Sequence, residues 1–188
     1  CAGVNAAKIR LLEEAGYPHV RSFFRMSIDL GAGYEKLRDP PGIAIRPFRL
    51  GVDERATHAV IEDSFSEHFG FSPRAFETWW ARHAKHERFD PDCWLLAWDG
   101  DRIAGALLAF PFADMGFVRE IGVLKAHRGR GIATALLLRV FDEFHRRDQN
   151  KVVLGVDSEN GTGAIRVYER IGMRVDQRHE LFEKEVRP

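Results

Sequence analysis

The sequence predicts a mixed α/β fold, and two observations carry the prediction. The stretch "CWLLAWDGDRIAGALLAFPF" is a hairpin signal, two apolar runs joined by the Asp99-Gly100 turn dipeptide. Downstream, a helical pattern from Gly129 to His145 and a second from Gly163 to Gly172 lie on either side of the strand "KVVLGV", Lys151 to Val156, so that strand is reached and left through crossover helices. The order from residue 43 reads β-α-α-β-β-β-α-β-α-β-β.

The elements follow in order. "NAAKIRLLEEAGY" reads as a short helix with Asn5 as cap and Gly16 as stop, ahead of Pro18. Residues 19–30, "HVRSFFRMSIDL", are rich in β-formers and predict a strand. The Gly- and Pro-rich stretch 31–42 reads as a linker. "IAIRPFRL" then predicts a strand, Asp53–Phe69 a helix, and "SPRAFETWWARHAKH" a second helix with Ser72 as cap and Pro73 in its first turn. "GFVREIGVLKA" adds a strand, on which i, i+2 alternation sets Glu120 on the face of Val118. A strand pair through "HELFEKEV" ends the chain.

Composition limits the function classes. The 188 residues carry 28 basic and 28 acidic side chains, so no overall field draws the protein to nucleic acid or to an anionic membrane. No apolar run approaches a membrane span and no signal-peptide pattern opens the sequence. Two distant cysteines, Cys1 and Cys93, suggest neither a disulfide framework nor a zinc site. The eight histidines show no paired metal spacing, so no metal is expected. A reducing, cytoplasmic location is the expectation.

The chain contains a repeat. Aligning Gly16 with Gly172 pairs Ile9 with Ile165, Arg10 with Arg166, and Glu13 with Glu169, and sets Leu12 opposite Tyr168. Short capped helices that merely look alike are one reading; the other takes residues 1–30 as the C-terminal remnant of a preceding related domain, with 31–42 as the linker and 43–188 as the main domain. Contact with that preceding domain is expected.

The stretch "HRGRGIATALL" opens the long helix with a basic, glycine-rich turn. A helix N-terminus carries unpaired amides and a partial positive charge, and glycines let an anion approach the backbone. Gly129 and Gly131 provide the access, while Arg128 and Arg130 provide cations. The turn is not a P-loop, since no GK[ST] follows, and it is a poor dinucleotide fingerprint, since Thr134 stands where a third glycine belongs. A pyrophosphate site and a structural turn with solvated arginines remain.

Residues Arg128 to Ala133 resemble the Q/R-x-x-G-x-G/A signature of the GCN5-related N-acetyltransferase (GNAT) superfamily, and Asn160, Tyr168 and Gly172 resemble a second motif of that family. "DSENGTGAIRVYERIGM" is similar to the tandem-domain, mycothiol synthase-like members. The resemblance covers residues 43–188. It implies the GNAT fold, a mixed and mostly antiparallel central sheet with splayed strands flanked by helices, with acetyl-CoA as co-substrate. By the same resemblance, backbone groups of Ile121, Gly122 and Val123 bind the pantetheine arm and the amides from Arg128, Gly129, Arg130, Gly131, Ile132 and Ala133 to Thr134 hold the pyrophosphate. Asn160 would touch the pantetheine, Tyr168 would lie near the thioester sulfur, and the Val123 amide would face the thioester carbonyl.

Acetyl transfer needs a neutral amine, a donor for the developing oxyanion and a proton for the departing thiolate. Tyr168 is the expected acid and Glu120 the carboxylate placed to act as base, with a solvated strand-edge charge as the other reading of Glu120. Phe65, His68 and Phe69, between the two early helices, are the candidates for the acceptor pocket; Trp79 and Trp80 read as packing. The expected activity is transfer of an acetyl group to an amine of a small molecule or peptide by direct attack in a ternary complex. A catalytically silent acyl-CoA-binding or regulatory domain is the alternative, and a protein-interaction module built on the aromatic helices would leave the basic turn unused.

Overall fold

The computed structural model describes residues 6–35 and 39–185, and its chain divides into two compact units, residues 29–152 and residues 1–28 with 153–188. The Asn5 cap lies outside the described residues. The fold is α/β, with seven strands in mostly antiparallel pairings and helices packed beside them.

The larger unit holds β2 (Ile43–Pro47), α2 (Glu54–Phe65), α3 (Phe76–Ala84), β3 (Trp94–Asp99), β4 (Arg102–Pro111), β5 (Gly116–Val123) and α4 (Ile132–Arg146). Its strands run β2-β3-β4-β5, each antiparallel to the next. The expected hairpin forms, with Gly100 turning at φ 63. Helix α4 buries Ile132, Ala135, Leu136, Val140, Phe141 and Phe144, the i, i+3, i+4 stripe of an amphipathic helix.

Three expected boundaries move for local reasons. Helix α3 begins at Phe76 rather than Pro73, because the Arg74 backbone is used elsewhere: its N–H donates to Glu62 at 2.8 Å and its carbonyl accepts from His58 at 2.8 Å. Helix α2 ends at Phe65, followed by turns in which the His68 amide returns to the Phe65 carbonyl. Helix α4 starts at Ile132 because Gly129 and Gly131 both have left-handed backbones, φ 78 and 80, which form a turn and not a helix.

The face of Glu120 also differs from strict alternation. Leu108 pairs with Glu120 but Ala109 pairs with Val118, so Arg119 is the extra residue of a bulge. Neighbours on β4 point to opposite faces, so Glu120 and Val118 do as well. Gly116 lies against Phe144 of α4, while Glu120 and Gly122 face α2 and α3.

The smaller unit contains α1 (Ala6–Glu14), β1 (His19–Asp29), the greater part of β6 (Lys151–Asp157), α5 (Ala164–Arg170) and β7 (Arg174–Phe182). Among the described residues, the terminal strand pair expected after α5 is a single strand. Its antiparallel partner is β1, from His19 opposite Phe182 to Ser27 opposite Arg174, so no second C-terminal strand is needed to satisfy it. Helices α1 and α5 close in the same way. Gly16 (φ 78) and Gly172 (φ 95) end the helices; the amide after each glycine returns to the carbonyl of Leu12 at 2.9 Å or of Tyr168 at 3.0 Å.

Candidate active site

The turn before α4 is built around its glycines. Gly131 caps the helix in the left-handed region and no side chain caps it, so the first amides of α4 have no intrahelical acceptor. A Cβ on Gly129 would meet nothing within 4 Å, and one on Gly131 only Pro40 Cγ at 3.8 Å. The backbone here is open, polarised and positive, which suits an anion.

The two arginines are used differently. Arg128 folds back into the protein, where Nε donates to the Val123 carbonyl at 3.2 Å, Nη2 to the Ser64 carbonyl at 3.3 Å and Nη1 to Glu67 at 3.1 Å. It ties the end of β5 to the last turn of α2. Arg130 forms a more exposed pair with Asp99 at 2.7 Å, and His127 approaches the same carboxylate oxygen at 3.3 Å. Glu67 and Asp99 are both held below the usual carboxylate range, mainly by bonds from Lys125 and Arg128 in the first case and from Arg130 in the second.

On the adjoining face of β5, Gly122 meets α2 closely enough to touch Ser64 and to lie beside Phe65, whose Cε2 would be 3.5 Å from a Cβ at Gly122. The Phe65 and His68 rings lie 4.5 Å apart, tilted by 51°, and Phe69 is 46 % exposed. The structure thus brings Phe65, His68 and Gly122 together, with Phe69 turned outward. Ile121 and Val123 flank Gly122 on the strand, and Val123 supplies the carbonyl that Arg128 takes.

Glu120 is buried, 9 % exposed, and is not a solvated edge charge. Oε1 accepts from Arg74 Nη1 at 2.8 Å and Oε2 from the Trp79 indole at 3.3 Å. Arg74 also bonds Glu62, through Nε at 2.8 Å and Nη2 at 2.7 Å. Wholly buried His83 lies 3.7 Å from Glu120 Oε2. Arg74, Glu62, Trp79 and His83 were not legible as a site, because they meet only when α2 and α3 fold against β5. The Trp79 ring packs as expected, among Trp80, Trp94 and His83, but its indole N–H also serves the carboxylate.

Within the smaller unit, Tyr168 is buried on α5, and burial alone pushes its phenol up to about 12. It is a proton donor throughout the neutral range. The Asn160 carboxamide oxygen turns back onto Thr162, accepting from its amide at 2.8 Å and from its hydroxyl. Among the described residues, no group of three or more His, Cys, Asp or Glu could hold a metal ion, and no helix is long and apolar enough to cross a membrane.

Comparison with known proteins places this geometry in context. The profile of the acetyltransferase (GNAT) family matches residues 55–173. A mycothiol acetyltransferase of Geodermatophilus obscurus is 32 % identical over 172 residues, 86 % of this chain and 55 % of the relative, and one of Saccharopolyspora erythraea is 30 % identical over 174 residues, 90 % and 56 %. The chain therefore spans about half the length of these curated relatives. The crystal structure of a GCN5-related N-acetyltransferase from Sphaerobacter thermophilus superposes with a TM-score of 0.87 at 41 % identity, covering 98 % of this chain and 57 % of that one.

Proposed function

The chain belongs to the GNAT acetyltransferase family, and from that premise we propose that it transfers the acetyl group of acetyl-CoA directly to a primary amine of a small molecule or peptide, both substrates being bound together. The observation that carries the reading is the α4 N-terminus: two left-handed glycines, open space above them and first-turn amides without intrahelical acceptors, a combination that fits a pyrophosphate. The amides from Gly129 to Thr134 bind the diphosphate and Arg130 adds charge; the Arg128 amide, expected to join them, instead donates to the Lys125 carbonyl at 3.3 Å. Backbone groups of Ile121, Gly122 and Val123 and the Asn160 side chain align the pantetheine. A thioester supplies an activated acyl group and a good leaving thiol; the protein orients it and manages protons.

An amine with a pKa near 10 is mostly protonated at neutral pH, so one proton must leave before the nitrogen can attack, and a second leaves it for solvent as the tetrahedral adduct collapses. Glu120 accepts the first. The Val123 amide stabilises the developing oxyanion, and Tyr168 donates its hydroxyl proton to the departing thiolate. Phe65, His68 and Phe69 line the acceptor side. The relatives' name, mycothiol acetyltransferase, gives thiol-bearing amines first place in an acceptor panel. Residues 1–30 are the end of a preceding GNAT-like domain whose last strand, β1, pairs with β7; a match to about half of each relative and the shared Gly16 and Gly172 helix ends support that arrangement. The site of action is the cytoplasm, in keeping with a buried, free Cys93.

The test is thermal unfolding with and without acetyl-CoA, followed by a panel of L-cysteine amide, glucosamine and an alanine-terminated peptide with coenzyme A release read by chromatography. Ligand at a hundredfold its Kd adds about 2.7 kcal/mol to stability. No melting shift at millimolar acetyl-CoA overturns the binding reading. A shift with no turnover on any amine favours a silent acyl-CoA-binding domain.

A further inference from the structure

His83 of α3 has no role in the reaction as given above, yet it adjoins the carboxylate that the reaction uses. It has no exposed surface, and its Nδ1 donates to the Trp79 carbonyl at 2.8 Å, which fixes the tautomer of the neutral ring. Nε2 then carries the lone pair, and it is buried without a hydrogen-bond partner. Glu120 Oε2 stands 3.7 Å away, a separation suited to two acceptors with no proton between them and too long for a hydrogen bond.

Charge adds a second argument. Glu62 and Glu120 share the one guanidinium of Arg74, so with His83 neutral the cluster is one proton short of balance. Arg119 of β5 also acts on His83, and His58 of α2 touches Trp79; β3 and β4 bring only the Trp94 and Phe110 rings. Burial is the largest influence on His83 and lowers its proton affinity, while the Trp79 carbonyl and Glu120 oppose it and Arg119 and Arg74 add to it. At rest the ring is neutral and the seat on Nε2 is vacant.

We propose that His83 is a positioning residue for acetyl transfer that receives, on Nε2, the proton Glu120 takes from the attacking amine. The ammonium N–H bond breaks first, leaving on nitrogen the electron pair that forms the C–N bond, and that proton passes to Glu120 Oε2 and on to Nε2, which restores the carboxylate beside Arg74. The C–S bond breaks as the adduct collapses, and the second N–H proton leaves to solvent. After turnover the proton returns to solvent, while the thiolate is protonated from Tyr168, itself refilled from solvent. The inference rests on Glu120 being the base.

The closing experiment has two arms on the full chain. In the first, ¹⁵N NMR follows the His83 ring through pH 5–8 in the wild type and in Glu120→Gln. Losing the adjacent anion makes Nε2 protonate at a lower pH, because the Glu120 charge raises the proton affinity of His83. An unchanged midpoint overturns the inference. In the second, His83→Asn keeps a donor for the Trp79 carbonyl but removes Nε2. With the panel amine that turns over fastest, kcat falls about tenfold or more near pH 6.5 and much less near pH 9, where the amine needs less help, while the KM for acetyl-CoA is unchanged. A loss equal at every pH identifies a structural role and overturns it. If Glu120→Gln is slow and His83→Asn is normal, this inference alone fails; if Glu120→Gln turns over fully, the base assignment fails with it.

Discussion

Gly122 of β5 and Ser64 of α2 approach so closely that a Cβ on Gly122 would lie 2.8 Å from Ser64 Cβ, with Ser64 Oγ closer still. The contact sets the distance between α2 and the strand, and with it the placement of Phe65 and of the Ser64 carbonyl that receives Arg128. Gly122→Ala should cost about 1–3 kcal/mol through overpacking. Ser64→Gly removes both clashing atoms, so the double variant should recover part of that loss despite a helix glycine's own cost of about 1 kcal/mol. Urea unfolding of the two singles and the double checks this; additive losses would show that the contact is not the cause.

Arg128 and Arg130 are neighbours in one motif with different duties, and alanine separates them. Arg128→Ala removes donors from two backbone carbonyls and from Glu67, so it should lower stability by about 1–2 kcal/mol and also raise the KM for acetyl-CoA. Arg130→Ala gives up one exposed pair, worth little to folding, and should raise the KM with stability unchanged within about 0.5 kcal/mol. Melting curves and acetyl-CoA titrations on both variants decide it; equal melting losses would contradict the division.

Gly131 tests the anion site itself. At φ 80 a β-branched residue is strained, and its Cβ would occupy the open side of the turn. Gly131→Val should cost about 1–3 kcal/mol of stability and raise the KM for acetyl-CoA strongly. Gly100→Val, at φ 63 in the hairpin turn, supplies the control for strain alone: similar destabilisation with an unchanged KM. Normal acetyl-CoA binding by Gly131→Val would place the pyrophosphate elsewhere.

What the sequence made legible follows from how local each signal is. The Asp99-Gly100 hairpin, the stripe of α4 and the glycine turn depend on neighbours in the chain, and all three appear in the structure. The face of Glu120 did not follow, because the bulge at Arg119 is set by pairing with β4 and leaves no mark on the apolar pattern of β5. The start of α3 was obscured for a related reason. Ser72-Pro73 is a sound helix opening, but Glu62 and His58 on another helix claim the Arg74 backbone. Those same long-range contacts hide the Glu62–Arg74–Glu120–His83 cluster, whose outermost members, Glu62 and Glu120, lie 58 residues apart in the chain. Arg128 and Arg130 were legible as cations, but only packing shows that the first is turned inward.

Tyr168 gives the sharpest test of the chemistry. Its helix ends at Gly172 with the amide of Met173 on the Tyr168 carbonyl, as α1 ends at Gly16 with the amide of Tyr17 on the Leu12 carbonyl, so the two side chains occupy equivalent places in equivalent caps. The backbone requirement at this position is therefore met by a leucine as well as by a tyrosine, and helix capping does not explain the phenol. Burial raises its pKa to about 12, so the hydroxyl keeps its proton at any pH where the enzyme would be assayed. A thiolate, with a free-thiol pKa near 8.5, leaves more readily when such a donor protonates it in the transition state. Tyr168→Phe should lower kcat by about ten- to a hundredfold with little change in acetyl-CoA affinity, because it keeps the ring and removes only the hydroxyl. Stability should hold within about 1 kcal/mol, since desolvation is the one influence acting on the phenol and its loss abandons no charge. The pH profile adds a signed expectation: a donor with so high a pKa contributes no alkaline limb below about pH 10, so any decline between pH 8 and 10 must persist in Tyr168→Phe. Steady-state kinetics of both proteins across that range measure each quantity. Full kcat in Tyr168→Phe would assign the proton to water or another group and remove the distinction between Leu12 and Tyr168 as a mark of which copy is active.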